Sequence, residues 1–153
     1  MRRRDLLGFV GSSSLAMMTV DAAKSETDQP REPRAKGAYK DPRTSCFEQC
    51  EALSKLCLVI ADQLLEELKA GRGDVETIAR AHRALVDTHE FCQLAVTTVV
   101  RNSPFRMHSC IACADVCERS ATIARGAPIE HKEQVVEQFK ECAAVCREIA
   151  KLA

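Results

Sequence analysis

Nine cysteines and their spacing carry the chemistry of this chain. Cys110-x2-Cys113-x3-Cys117 places three thiols within eight residues, and Cys46-x3-Cys50 and Cys142-x3-Cys146 repeat the longer interval. Cys57 and Cys92 complete the set. Intervals of three and four residues put side chains on one face of a helix. Thiols at that separation reach a shared soft metal ion more readily than they reach one another, because Cβ atoms about 5–6 Å apart exceed the usual disulfide spacing.

The elements that must position these thiols are helices. Turn signals divide the chain after residue 43 into four stretches. The first opens at Ser45, with Glu48 three residues on as a capping box, and stops near Ala70 at Gly71-Arg72-Gly73. Asp74 caps the second, which runs to about Arg101. Ser103-Pro104 starts the third, which ends at Gly126, and Pro128 starts the fourth. Short connections between long helices predict an all-α fold, an antiparallel up-down-up-down four-helix bundle. At about 100° per residue, the inward stripes are Cys46, Cys50, Leu53, Cys57, Ile60, Leu64, Leu68; Ile78, Ala81, Leu85, Cys92, Val96, Val99; Cys110, Cys113, Cys117, Ala121, Ala124; and Val135, Phe139, Cys142, Cys146, Ile149. Every cysteine is expected inside. The antiparallel order brings all nine into one half of the bundle, while Leu, Ile, Val and Phe139 fill the other.

Composition narrows the functional classes. Twenty-two basic and 22 acidic residues leave no net charge to attract nucleic acid or an anionic membrane. No serine–histidine–acid signature or phosphate-binding glycine loop occurs, and none of the four histidines lies in Glu-x-x-His, which argues against a di-iron carboxylate bundle and against an enzyme. Buried cysteine as a small hydrophobe suits one or two positions, not nine. An odd count prevents complete disulfide pairing. A single C-x2-C, on a helix, is unlike the usual structural zinc pattern, and the ferredoxin run is absent. A helix-borne iron–sulfur centre or a thiol–disulfide redox protein stays as the alternative. Cu(I) selects thiolates. With metal–sulfur bonds near 2.3 Å, two sulfurs across one ion lie up to about 4.6 Å apart, within reach of pairs at i, i+3 and i, i+4. Bridging thiolates then allow several ions. The expected ligands are Cys46, Cys50, Cys57, Cys92, Cys110, Cys113, Cys117, Cys142 and Cys146, with His89, one turn before Cys92, and Met107, near the shared end, at the margin. His108 points away from the cysteine stripe, and His82 and His131 belong to the opposite half.

These motifs, over about residues 44–152, resemble the copper storage proteins, the cysteine-rich four-helix bundles of which some members are exported. The resemblance implies storage or buffering of many Cu(I) ions along the core, assembly of identical chains as tetramers, and exchange with a copper chaperone or an exported cuproenzyme. One departure is visible: Leu53, Leu85, Ala121 and Phe139 occupy lining positions that better-known members fill with cysteine, so metal is expected in half the bundle only.

Residues 1–22 read as a leader. Arg3-Arg4-Asp5-Leu6-Leu7 resembles a twin-arginine export motif, followed by an apolar run too short and diluted to span a membrane and by small residues placed for cleavage after Ala22. That predicts export to the periplasm in folded form. Residues 23–43, polar and carrying Pro30, Pro33 and Pro42, read as a loose arm ahead of the bundle domain at 44–153.

Overall fold

In a computed structural model, residues 41–152 are described, and they form four helices: α1 Pro42–Lys69, α2 Val75–Val100, α3 Arg106–Gly126 and α4 Lys132–Lys151. Each helix packs on its neighbours in chain order, and α4 closes against α1, the arrangement of an antiparallel up-down bundle. The export leader and nearly all of the expected arm lie outside the described residues. No helix among those described is long and apolar enough to cross a membrane.

Two helix ends follow one rule. α1 finishes at Gly71 in the left-handed region (φ 68°), with Gly71 N–H bonded to the Leu68 carbonyl and Arg72 N–H to the Glu67 carbonyl. α2 finishes the same way at Asn102 (φ 49°), with Asn102 N–H on Val99 and Ser103 N–H on Thr98. Both are the paired C-terminal bonds that satisfy carbonyls left open by the last helical turn. At the start of α2, Asp74 accepts the Thr77 N–H at 2.8 Å, as its position in the sequence implied.

Three helix starts differ from the sequence reading. α1 begins before Ser45, because Asp41 caps it: its carboxylate accepts the Arg43 N–H at 3.0 Å and its carbonyl accepts those of Thr44 and Ser45. Pro42, read from sequence as part of the arm, occupies the first helical turn, where a missing N–H costs nothing. α3 begins at Arg106 rather than Ser103-Pro104. The backbone N–H of Ser103 is drawn back to close α2, and its hydroxyl accepts the Phe105 N–H in an intervening turn. α4 begins at Lys132 rather than Pro128. Proline holds Ala127 extended (ψ 157°), Ala127 and Ile129 fold into the core, and the helix starts only after His131 turns left-handed (φ 49°).

The core splits as the inward stripes predict. Leu64, Ile78, Leu85, Val135 and Phe139 are buried toward one end and the cysteines fill the other, with Leu53 buried among them between Cys50 and Cys57 on α1. Leu68 and Val96, placed on the stripes from sequence, are only half-buried against that core. Phe139 is the largest fully buried side chain, and cutting it to alanine opens a void that straight helices cannot close. Phe139→Ala is expected to lower unfolding free energy by about 3–5 kcal/mol, read as an earlier chemical-denaturation midpoint with native helicity kept in water.

Candidate metal centre

All nine cysteines are free thiols at 0% exposure. They reach that state from four helices, because intervals of three and four residues hold them on the inward stripes. Cys50 Sγ lies 3.4 Å from Cys146 and 3.5 Å from Cys142, Cys46 lies 3.9 Å from Cys50 and 3.8 Å from Cys146, and Cys92 lies 3.7 Å from Cys113. These separations far exceed a disulfide bond of about 2.05 Å and fall within the span that one metal ion bridges. The sulfurs form two groups with every internal distance at or below 4.8 Å. One is Cys50, Cys92, Cys113 and Cys142; the other is Cys46, Cys50 and Cys146, and Cys50 belongs to both. Cys57, Cys110 and Cys117 are equally buried but join neither group. Ile149 and Val99, a turn or two beyond Cys146 and Cys92 toward the same end, are also buried, so the thiols do not open directly onto solvent there.

The thiols titrate as one array. Cys92, Cys113 and Cys146 are held low by the thiols around them, Cys92 chiefly by Cys113, Cys113 chiefly by Cys117, and Cys146 chiefly by Cys110. Cys50, Cys117 and Cys142 are held high, each chiefly through Cys113. Neutral S–H donors around one sulfur are what stabilise negative charge there without water. Cys57 stands apart: burial pushes its thiol well above the usual range, and charge at Cys92 and then Cys113 adds to the shift.

Polar side chains fasten the helices around this array. Thr88 on α2 donates to the Ala84 carbonyl at 2.7 Å, and its hydroxyl oxygen lies 2.8 Å from the Ser120 hydroxyl on α3. Thr98 and Ser109 join the same two helices on the other side of Cys92 and Cys113. Between α1 and α2, Gln93 donates to the Ser54 hydroxyl at 2.7 Å, and His89 Nδ1 lies 2.8 Å from that oxygen and 3.2 Å from the Ser54 carbonyl. A carbonyl only accepts, so Nδ1 carries the proton in this contact. On the outer surface Arg147 of α4 reaches Asp115 and Glu118 of α3 at 2.9 and 2.8 Å. Sequence reasoning missed the hydroxyl pairs. Ser54, Thr88, Thr98, Ser109 and Ser120 lie on or beside the inward stripes, and polar residues at such positions were the available clue.

The marginal candidates sit apart from the sulfur groups. His89 is half-buried in the α1–α2 contact, tied to Ser54, which itself lies between Cys50 and Cys57. Met107 is half-buried in the first turn of α3, three residues ahead of Cys110. His108 and His131 are exposed, and His82 is half-buried.

A bundle whose four helices converge their thiols in a dry core is, as a class, a metal–thiolate four-helix protein. The chain belongs to the copper storage protein family, whose model matches residues 34–151. It is 29% identical over 106 residues to the uncharacterized cysteine-rich protein YhjQ of Bacillus subtilis (strain 168), covering 69% of this chain and 94% of that one. Its structure is similar to that of a Cu(I)-bound copper storage protein, BsCsp3, with a TM-score of 0.62 and 25% identity over 72% of this chain and 99% of the other. It also shares the fold of the Nmul_A1745 protein of Nitrosospira multiformis, with a TM-score of 0.62 and 24% identity over 73% and 97% of the two chains.

Ser54 is the hub of the α1–α2 contact. Ser54→Ala removes the hydroxyl that Gln93 and His89 share and leaves the half-buried Gln93 amide without this acceptor, while His89 keeps the backbone carbonyl. The expected cost is about 0.5–1.5 kcal/mol in unfolding free energy, measured by urea denaturation of the metal-free protein, whereas Lys55→Ala, one residue on and exposed, is expected to change little.

Proposed function

We propose that this protein stores several Cu(I) ions through the thiolates of its inward cysteines. The observation that carries the reading is that nine sulfurs are shut off from solvent and six of them converge into two overlapping groups, with contacts of 3.4–3.9 Å. Cu(I) is soft, prefers thiolate to oxygen donors, and loses little by leaving water for such a core. Adjacent sulfurs at these distances can bridge, so one thiolate serves two ions and several charges are neutralised together. Cys50 occupies the place where bridging is densest. Cys57, Cys110 and Cys117 extend the ligand supply along α1 and α3, and His89 and Met107 stand at the margin of the set. Family membership and the likeness to a Cu(I)-bound relative support the same reading.

Storage rather than catalysis is the role. The ions enter in the reducing cytosol, the folded bundle leaves through the twin-arginine route, and the periplasm receives copper already shielded from oxidants. Identical chains assemble as tetramers, and a copper chaperone or an exported cuproenzyme is the exchange partner. Leu85 and Phe139 confine the metal to one half of the core, so capacity is lower than in a bundle lined with cysteine throughout.

Anaerobic titration of the fully reduced protein with Cu(I), against a competing chelator, tests this reading. Uptake well beyond two equivalents without visible absorption bands is expected; saturation below two equivalents would rule storage out. Cys50→Ser is expected to remove more capacity than Cys57→Ser, since only Cys50 belongs to both sulfur groups. Burial keeps the Cys57 thiol protonated at neutral pH, so copper must displace its proton. Apparent affinity at that position is therefore expected to fall as pH falls, read from the same chelator competition repeated across pH.

A further inference from the structure

Cys50, Cys92, Cys113 and Cys142 come one from each helix, and no two of their sulfurs are more than 4.8 Å apart. We propose that this tetrad is a binding site for a tetrahedral divalent ion, Zn2+ by its chemistry, in the copper-free protein. The proposal concerns the same core as the copper reading but does not depend on copper being bound there.

Geometry carries it. A Zn2+ ion with bonds of about 2.3 Å to four sulfurs sets them about 3.8 Å apart along each edge of the tetrahedron. Two of the six edges, Cys50–Cys142 and Cys92–Cys113, are 3.5 and 3.7 Å, and the other four lie within 4.8 Å. Four converging sulfurs with nothing harder among them are the donor set that selects zinc or a tetrahedral iron. The iron alternative is an outcome of the test, since it would be coloured as purified.

The surroundings suit such an ion. Four thiolates around Zn2+ leave net negative charge in a dry core, which requires donors close by. Cys46 and Cys146 lie 3.9 and 3.4 Å from the Cys50 sulfur and can donate their S–H groups to it. Binding is an exchange without electron transfer: Zn2+ forms four Zn–S bonds, and each ligating thiol that carries a proton releases it to solvent. One ion then ties all four helices at a single level, where the protein has small side chains in place of the large apolar ones that hold its other half. Because Cys50 serves both sulfur groups, zinc in the tetrad competes with copper in the Cys46–Cys50–Cys146 group, and copper loading releases it.

Co2+ is the probe, added anaerobically to the reduced, metal-free protein. The expected result is one tight equivalent with the intense visible ligand-field bands of a tetrahedral thiolate complex, bleached by one equivalent of Zn2+. Wild-type protein decides the central point: only the weak pink spectrum of hydrated Co2+, or a colour that Zn2+ does not bleach, overturns the proposal, as does protein that is purified red with iron resistant to Zn2+. Cys92→Ser and Cys142→Ser are expected to lose the bands, and Cys57→Ser to keep them; bands unchanged in folded Cys92→Ser protein overturn the assignment. Cu(I) titration of the same preparation separates the two readings. Protein that takes up copper but gives no tetrahedral Co2+ spectrum loses this site alone, whereas protein that takes up neither loses both.

Discussion

Keeping thiols away from water is the constraint on which this structure depends. A thiolate in a dry core is costly unless a cation or a hydrogen-bond donor compensates it. Nine cysteines buried together therefore make an array in which each sulfur stabilises or opposes charge on its neighbours. The surrounding thiols favour negative character at Cys92, Cys113 and Cys146, while burial holds Cys57 neutral. A soft cation entering this array replaces S–H donors with metal–sulfur bonds and relieves the same cost more completely. Sulfur spacing, ligand type and burial thus express one physical requirement.

The rest of the bundle is arranged to keep that array in place. Cysteine is small, so the half it occupies gains little from large-side-chain packing. The opposite half compensates with Leu64, Ile78, Leu85 and Phe139, all close to fully buried. Within the cysteine half, hydroxyl pairs perform the fastening: Thr88 with Ser120 and Thr98 with Ser109 join α2 to α3 on either side of Cys92 and Cys113. Ser54, with His89 and Gln93, joins α1 to α2. Hydrogen bonds of this kind hold helices at a set separation without occupying the space between them. That leaves the interior to the sulfurs and to whatever ion they bind.

Metal storage and a stable apo fold place opposing demands on one core. Ligands must be close enough to bridge ions, yet the protein must persist when the ions leave. Segregating sulfurs from hydrocarbon along the bundle axis separates the two demands. The hydrocarbon half and the Schellman-type ends at Gly71 and Asn102 hold the helices irrespective of metal, and the sulfur half is free to fill and empty. Membership in the copper storage family places this division within a known class of bundles. The hydrocarbon at Leu85, Ala121 and Phe139 marks where the cysteine-lined length of the core ends.

The helix count, the antiparallel order and the inward direction of all nine cysteines were legible from sequence. The count rests on turn signals, the order on short connections, and the inward direction on periodicity: intervals of three and four residues keep a side chain on one helical face whatever the neighbours do. Helix starts were less legible. A capping pattern at Ser45 or Ser103 states only what is possible, and the backbone N–H groups went elsewhere, to Asp41 and to the end of α2. Which sulfurs meet was not legible at all. Periodicity fixes direction within a helix, but the rotation and height of four helices against one another are set by side-chain packing and by contacts such as Ser54–Gln93 and Thr88–Ser120. Sequence by itself therefore determined a four-helix bundle whose nine cysteines all face inward. Only the tertiary structure decided that Cys50 is shared between a group of four and a group of three, because that outcome depends on distances across helices separated by up to about one hundred residues in the chain.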